Sequence, residues 1–305
     1  MKLRWLACLA LLLISATGCI VVKGVGMAFL YKKAELPLAQ VHLEIPYREG
    51  AASPENRLDL FTPAGTNWPI LIFVHGGGWT EGDKSLKVAG DDVYGNIGRF
   101  YAEHGIGVAV INYRLLPHVH WQEQISDVAH ATAWVYSHVA QYGGNPARLF
   151  LCGHSAGAQL VDRVALDPAP LNEAGRSTAI VRGVISVSGA GLDLKDEETY
   201  ALGESREYYA QRFGTGTNPG DWQRAASPVA YIHPGAPPFL ILYAGGETKP
   251  LIRQSQRFSQ ALTQAGVKNK IIVVPGQSHA RIVLTLSRDD KTAGSAILNF
   301  IETPE

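Results

Sequence analysis

Apolar and polar positions along the 305-residue chain alternate between two periods. Short runs of consecutive apolar residues, rich in Val, Ile and Leu, predict strands that are buried on both faces. The longer segments between them carry apolar residues every three or four positions, as one face of a helix does. The predicted strands span 70–75, 108–113, 148–152, 181–188, 239–244 and 270–274, and the predicted helices lie near 91–105, 122–142, 252–265 and 290–302. This alternation predicts an α/β fold with a mostly parallel central sheet and helices on both faces.

The alternation stops between Gly191 and Tyr231. This stretch is polar and aromatic, and its large rings are Tyr200, Tyr208, Tyr209, Phe213 and Trp222. Two interpretations stay open. The stretch is either a lid inserted over a functional site or a surface excursion that contacts no ligand.

A serine flanked by glycines follows one of the apolar strands. The sequence GHSAG occupies residues 153–157, after the strand 148–152 and at the start of an apolar helical pattern. A serine at such a strand–turn–helix junction must take an unfavourable backbone conformation, which presents its hydroxyl above the sheet. Gly153 and Gly157 remove the side chains that would clash where strand and helix approach. The motif therefore predicts Ser155 as a nucleophile.

A second glycine-rich motif follows the apolar strand at 70–74. It reads His75-Gly76-Gly77-Gly78-Trp79, and its three glycines leave the backbone N–H groups free to face a ligand. Alone, it is also compatible with a turn that only reverses the chain. Together with GHSAG, it predicts both halves of a serine hydrolase centre, a nucleophile and donors for a negatively charged oxygen.

A nucleophilic serine needs a base, and the base needs an acid that orients it. His279 lies in the loop after the last predicted strand, where a hydrolase places its histidine. Glu247 is the only acid in the loop after the preceding strand, because no Asp occurs between Asp221 and Asp289. The predicted order along the chain is therefore Ser155, Glu247, His279. The histidines without this placement, which we expect to be structural or on the surface, include His42, His104, His130, His138, His154 and His233.

These motifs give the chain a resemblance to α/β-hydrolases of the esterase/lipase group, including the hormone-sensitive-lipase-like and feruloyl-esterase-like carboxylesterases. The resemblance covers roughly residues 46–303 and includes the segment Asn112-Tyr113-Arg114-Leu115. It implies an oxyanion hole formed by the backbone N–H groups of Gly77, Gly78 and Ala156. In these families the acid is usually Asp, so Glu247 departs from their pattern.

The resemblance implies hydrolysis of small carboxylic esters through an acyl-enzyme. Residues 253–262 also resemble kynurenine formamidases, so an arylformamidase-like amidase is the nearest alternative. A non-catalytic binding protein with the same fold is a further alternative. Such a protein usually lacks a triad residue, and here all three are present.

Composition and charge narrow the classes of ligand. The 27 basic and 27 acidic residues balance, so there is no electrostatic reason to expect a nucleic acid partner. His118 and His120 are two positions apart, but no cluster of Cys or carboxylates completes a metal site around them. We therefore expect no metal and no other cofactor, and a small-molecule ester as the substrate.

The first residues resemble an export signal. A basic start is followed by an apolar run over 6–14, which is too short to span a membrane comfortably. Small residues then precede Cys19, as in a bacterial lipobox, although Ala16 stands where Leu is more usual. The resemblance implies that Cys19 becomes lipidated and tethers the protein to a membrane. Ordinary cleavage near Gly18 and an uncleaved anchor are the alternatives.

The expected organisation follows from these segments. We expect residues 1–18 to form a lipoprotein signal and residues 19–45 to form a tether and N-terminal segment. Residues 46–305 form the α/β-hydrolase domain, with the insertion at about 191–231. We expect an exported protein, anchored on the periplasmic or extracytoplasmic side of a membrane.

Overall fold

One eight-stranded sheet forms the centre of the computed structural model, which describes residues 32–48, 53–88, 90–214 and 219–304. The strands are β1 (Val41–Pro46), β2 (Arg57–Phe61), β3 (Trp68–Val74), β4 (Lys87–Val88), β5 (Asp91–Asp92), β6 (Gly107–Ile111), β7 (Gly144–His154), β8 (Val181–Val187), β9 (Phe239–Ala244) and β10 (Asn269–Val274). The order across the large sheet is β1-β2-β6-β3-β7-β8-β9-β10, and β4 pairs with β5 in a separate hairpin. The pairs β1–β2 and β2–β6 are antiparallel, and all the other pairs of the large sheet are parallel.

Helices cover both faces of this sheet. They are α1 (Val93–Glu103), α2 (Trp121–His138), α3 (Ala156–Leu166), α4 (Pro168–Glu173), α5 (Glu197–Ala201), α6 (Arg206–Phe213), α7 (Trp222–Ala226), α8 (Lys249–Gln264) and α9 (Thr292–Glu302). Short 3₁₀ helices lie at Leu38–Gln40, Val139–Tyr142, Thr178–Ile180, Pro219–Asp221, Pro228–Tyr231 and Arg281–Thr285. One apolar layer packs under α2, α3 and α8, and the other packs under α1 and α9. All seven residues of β3 are buried between the two layers, which explains its continuous apolar sequence.

The predicted α/β fold with a mostly parallel sheet is confirmed. The structure adds two antiparallel strands, β1 and β2, which the apolar pattern did not indicate. The burial of β1 is intermediate or exposed at every position, so its sequence lacks the run of buried residues that marks the central strands. Because β1 begins at Val41, the sheet extends to the N-terminal side of residue 46, where we expected the catalytic domain to begin.

The segment at 191–231 contains three short helices, α5, α6 and α7. It is held to α8 by two pairs of side chains. The guanidinium of Arg253 donates two hydrogen bonds to Asp196, at 2.5 and 2.9 Å, and Arg257 donates to Asp193 at 3.0 and 3.1 Å. Paired geometry of this kind fixes direction as well as distance. The insertion is therefore attached firmly to the main domain.

Residues 1–31 lie outside the described part of the chain, and with them the predicted signal and Cys19. Within the described residues, no helix combines the length and the apolar character needed to cross a membrane.

Candidate active site

The turn between β7 and α3 holds Ser155 in a strained conformation. Its backbone has φ 57° and ψ −117°, a region that non-glycine residues rarely adopt. A hydrogen bond from its N–H to the carbonyl oxygen of Val187, 2.9 Å long, ties the turn to β8. Gly157 allows the close approach of α3, because a Cβ atom there would lie 2.3 Å from the carbonyl oxygen of Val74. Gly153 faces the backbone of Gly157 in the same way.

Ser155, His279 and Glu247 form one continuous chain of hydrogen bonds. The Ser155 hydroxyl lies 2.9 Å from Nε2 of His279, and Nδ1 of His279 lies 2.8 Å from Oε2 of Glu247. The Glu247 side chain is 1% exposed, whereas that of His279 is 34% exposed. A buried carboxylate accepts the Nδ1 proton, so Nε2 is left free to accept from the serine. This is the arrangement of nucleophile, base and orienting acid that activates a serine.

Two parallel strands bring the acid and the histidine together. β9 and β10 are neighbours in register, with Ala244 opposite Val274, so the loops that follow them leave the sheet side by side. Two backbone hydrogen bonds of 2.8 Å join these loops, from Gly245 N–H to the Val274 carbonyl and from Gly246 N–H to the Gln277 carbonyl. The other oxygen of the Glu247 carboxylate accepts from the backbone N–H of Thr248 at 3.2 Å. Both oxygens of the acid are therefore engaged.

The HGGGW loop lies beside the serine. A Cβ atom on Gly76 would be 3.2 Å from Cβ of Ser155. Gly77 and Gly78 have φ values of 119° and 57°, and a Cβ atom on Gly77 would lie 1.9 Å from the carbonyl oxygen of Glu81. Only glycine fits that position. The loop therefore brings backbone N–H groups next to the nucleophile, while Ala156 begins the helix on its other side.

The first and last residues of HGGGW fasten this loop. His75 is fully buried, stacks on Tyr113 at 4.5 Å between ring centroids, and its Nδ1 lies 2.7 Å from the Gly76 carbonyl oxygen. Burial lowers the pKa of His75, which keeps it neutral. The indole N–H of Trp79 donates to Oε1 of Gln159, at 3.1 Å, on the helix that starts at the nucleophile.

The insertion packs on the same loop. The Trp79 ring contacts Phe213 and Tyr209 of α6, with ring centroids 4.8 and 6.0 Å apart. The hydroxyl of Tyr208 would be 2.6 Å from a Cβ atom on Gly78. The insertion therefore contacts the glycine loop that lies beside Ser155.

His154 has a contact that the sequence did not indicate. It occupies the variable position of GHSAG, and its Nε2–H donates to the carbonyl oxygen of His279 at 3.0 Å. Its Nδ1 would lie 3.0 Å from a Cβ atom on Gly76, so the ring fills the space between the HGGGW loop and His279. Burial, followed by the nearby His279, lowers the pKa of His154 to about 3. The ring therefore acts as a neutral hydrogen-bond donor.

A buried carboxyl lies on α3, the helix that follows Ser155. Asp162 of α3 accepts a 2.8 Å hydrogen bond from the Ser186 hydroxyl through Oδ2. Its Oδ1 has no hydrogen-bond partner among the described residues. Burial raises the pKa of Asp162 well above its usual range, so this acid is held in its neutral form.

The model of the BD-FAE family matches residues 58–262, more than half of the sequence. The chain belongs to the BD-FAE family. The predicted membership of the α/β-hydrolase esterase/lipase group is thereby confirmed. The match includes Ser155 and Glu247 and ends before His279.

The chain is similar in sequence to two curated esterases and in structure to one solved esterase. This BD-FAE protein is 32% identical over 269 residues to esterase LipQ of Mycobacterium tuberculosis, covering 85% of this chain and 61% of LipQ. It is 29% identical over 231 residues to the probable carboxylic ester hydrolase LipM of the same organism, covering 74% of this chain and 52% of LipM. The crystal structure of esterase B from Lactobacillus rhamnosis superposes with a TM-score of 0.69 at 22% identity, covering 97% and 95% of the two chains. The chain thus spans about half to three fifths of the length of these two curated relatives.

Proposed function

We propose that this BD-FAE protein is a serine carboxylesterase that hydrolyses small carboxylic esters through an acyl-enzyme. One observation carries the proposal: the hydrogen-bonded chain of Ser155, His279 and Glu247 lies beside a glycine loop with left-handed backbone. The names of LipQ and LipM support ester hydrolysis over amide hydrolysis. The presence of all three side chains in contact argues against a binding protein that has lost its chemistry.

Acylation begins with the serine. Nε2 of His279 accepts the proton of the Ser155 hydroxyl as Oγ attacks the ester carbonyl carbon. The carbonyl oxygen gains negative charge, and the backbone N–H groups of Gly77, Gly78 and Ala156 donate to it. Glu247 holds the imidazole in the required tautomer and stabilises its positive charge. The imidazolium then gives its proton to the departing alcohol, and the acyl group remains on Oγ.

Deacylation repeats these steps with water. His279 removes a proton from a water molecule, and the resulting oxygen attacks the acyl carbon. The same three N–H groups stabilise the second tetrahedral intermediate. When that intermediate collapses, Oγ of Ser155 recovers its proton from His279 and the carboxylic acid leaves.

Replacement of the nucleophile tests the proposal. Ser155→Ala should abolish hydrolysis of p-nitrophenyl acetate. It should leave the fold intact, because a hydroxyl that points away from the sheet contributes little to packing. A reactive aryl phosphonate should add one adduct to the unsubstituted protein, seen by intact mass, and none to Ser155→Ala. Ser137→Ala, on the surface of α2, is the matched control and should behave like the unsubstituted protein. Activity of Ser155→Ala above a few per cent would refute the assignment.

A substrate panel then tests the bond that is cleaved. We expect p-nitrophenyl esters of short acyl chains to be hydrolysed faster than N-formylkynurenine. Faster turnover of the formamide would instead assign the same centre to amide hydrolysis.

We also propose that Cys19 carries a lipid that tethers the protein to a membrane on the extracytoplasmic side. The support is the residue pattern alone, a basic start, a short apolar run and small residues before a cysteine. The protein should partition into the membrane fraction, and Cys19→Ser should release it or block its processing. An unmodified mature N-terminus, measured by intact mass, would refute the tether and leave the esterase proposal untouched.

A further inference from the structure

Three consecutive residues of the HGGGW loop have left-handed backbone. The φ values of Gly77, Gly78 and Trp79 are 119°, 57° and 67°. Glycine adopts such angles freely, but tryptophan does not. A strained conformation of this kind persists only where the surroundings fix it. The contacts that hold this loop therefore determine where its N–H groups point.

The peptide groups on either side of Gly78 are held by different parts of the protein. The carbonyl of Gly77, which shares a peptide group with the N–H of Gly78, accepts from the backbone of Thr80 and Glu81, at 3.2 and 3.0 Å. Those contacts are local. The carbonyl of Gly78 itself accepts a 2.9 Å hydrogen bond from Nε of Arg212, 134 residues further along the chain. The orientation of the peptide group between Gly78 and Trp79 thus depends on the insertion.

Arg212 is itself well placed for this role. Its Nη1 donates to the carbonyl of Tyr208 at 3.0 Å, and its guanidinium carbon lies 3.4 Å from the centroid of the Tyr208 ring. Among the described residues, no carboxylate lies within ion-pair distance of it, unlike Arg253 and Arg257 at the base of the insertion. Its hydrogen bonds to described residues go to two backbone carbonyls, and its flat face is covered by an aromatic ring.

We propose that Arg212 is a positioning residue that aligns the Gly77–Gly78 donors with the negative oxygen of the tetrahedral intermediate. The inference rests on the proposed function of this site. The insertion completes the donor site, in addition to covering it. Charge on the intermediate is stabilised only by donors that already face it, so a small rotation of this loop costs rate without costing substrate binding.

The test compares two arginines of the same helix. Arg212→Met removes the hydrogen bond to the carbonyl oxygen of Gly78. Arg206→Met is the matched control, because Arg206 also stacks on a tyrosine, Tyr200 at 4.0 Å, but pairs with Glu197 and does not contact the glycine loop. A displacement of about 1 Å at a reacting centre costs about 100-fold. We therefore expect kcat for phenyl acetate to fall about 10- to 100-fold in Arg212→Met, with KM changed less than about threefold, and no change in Arg206→Met.

A sulfur substrate separates donor alignment from general damage. Sulfur accepts hydrogen bonds weakly, so a thionoester gains little from the donors. The ratio of kcat/KM for phenyl acetate to that for O-phenyl thionoacetate should fall by about tenfold in Arg212→Met, less than the roughly 100- to 1,000-fold cost of removing a donor outright, because the donors stay in the loop but are misaligned. An unchanged ratio would overturn the proposal, and so would an equal fall in Arg206→Met.

A second variant covers the case in which Arg212→Met does not fold. Lysine keeps the positive charge, but its three N–H donors share one nitrogen, so it cannot reproduce the fixed spacing with which Nε and Nη1 of Arg212 reach the two carbonyls. Arg212→Lys should show an intermediate ratio, and a ratio equal to that of the unsubstituted protein would overturn the proposal. Failure of the proposed function has a different signature: the unsubstituted protein would hydrolyse neither substrate, and the phosphonate would not label Ser155.

Discussion

Glu247→Gln tests the acid with almost no change in shape. In the native site, Oε2 accepts from Nδ1 of His279 and Oε1 accepts from the N–H of Thr248. Glutamine has one oxygen and one NH₂ group. If the NH₂ group faces His279, it donates to Nδ1 and drives the proton to Nε2, where it blocks acceptance from Ser155. If the amide flips, the NH₂ group faces the Thr248 N–H, two donors in contact in a site that is 1% exposed. The first orientation removes the base, and the second is disfavoured by the unpaired donors, so the inactive orientation should dominate.

The size of the loss follows from the role of the carboxylate. The corresponding change in a serine protease lowers kcat by about 10⁴-fold through the wrong tautomer. At about 1.4 kcal/mol for each tenfold change, this corresponds to about 5.5 kcal/mol of lost transition-state stabilisation. Since the Glu247 side chain is buried behind His279, KM should change little. Steady-state kinetics with p-nitrophenyl acetate measure both constants.

Glu247→Asp is the control for charge. It keeps the carboxylate but shortens its reach, so partial activity should remain. The reasoning is refuted if Glu247→Gln stays within about tenfold of the unsubstituted protein while Ser155→Ala and His279→Ala are inactive. The acid would then lie elsewhere, and Asp193 of the insertion, now bonded to Arg257, would be the next residue to replace.

Two further predictions concern neighbours of the site. His154→Gln keeps a donor near the position of Nε2 and should retain most activity, whereas His154→Leu loses the bond to the His279 carbonyl and should lower kcat at least tenfold, in line with a displaced base; equal kinetics of the two variants would contradict this role. Asp162 has a raised pKa when folded, so the unfolded chain releases this proton first as pH rises above about 4, and stability falls by up to about 1.4 kcal/mol for each pH unit until the folded group ionises. Asp162→Asn removes this dependence of stability on pH. In urea unfolding, the free energy of unfolding of the variant relative to that of the unsubstituted protein should therefore increase from pH 5 to pH 8. A difference that stays constant over this range would contradict the prediction.

Local sequence was sufficient for much of the fold and of the candidate site. The central strands are apolar on both faces. The two glycine motifs are short, and their glycines indicate positions where the backbone takes unusual angles or approaches another segment closely. Glu247 could be selected because its loop contains no competing acid. The structure brings it into contact with His279, as the order of the strands implied.

Contacts between distant segments could not be predicted in this way. The hydrogen bond from Arg212 to Gly78 joins an irregular insertion to a tight loop, and the local sequence of neither segment indicates this contact. His154 likewise reaches a carbonyl oxygen 125 residues away. β1 was not predicted because it lies at the edge of the sheet and has no run of buried residues, and β2 was not predicted because Arg57 and Asp59 interrupt its apolar residues. The pairing of β2 with β6 also joins segments that are far apart in the chain.

The two arginine–aspartate pairs at the base of the insertion bear on how this protein can be redesigned. Arg253 and Arg257 belong to α8, whereas Asp196 and Asp193 belong to the insertion. A foreign insertion grafted here without both acids would leave the guanidinium groups of Arg253 and Arg257 on the same helix without their acidic partners. Chimeras that exchange this segment should therefore be cut to include α8, so that each anchor travels with its counterpart.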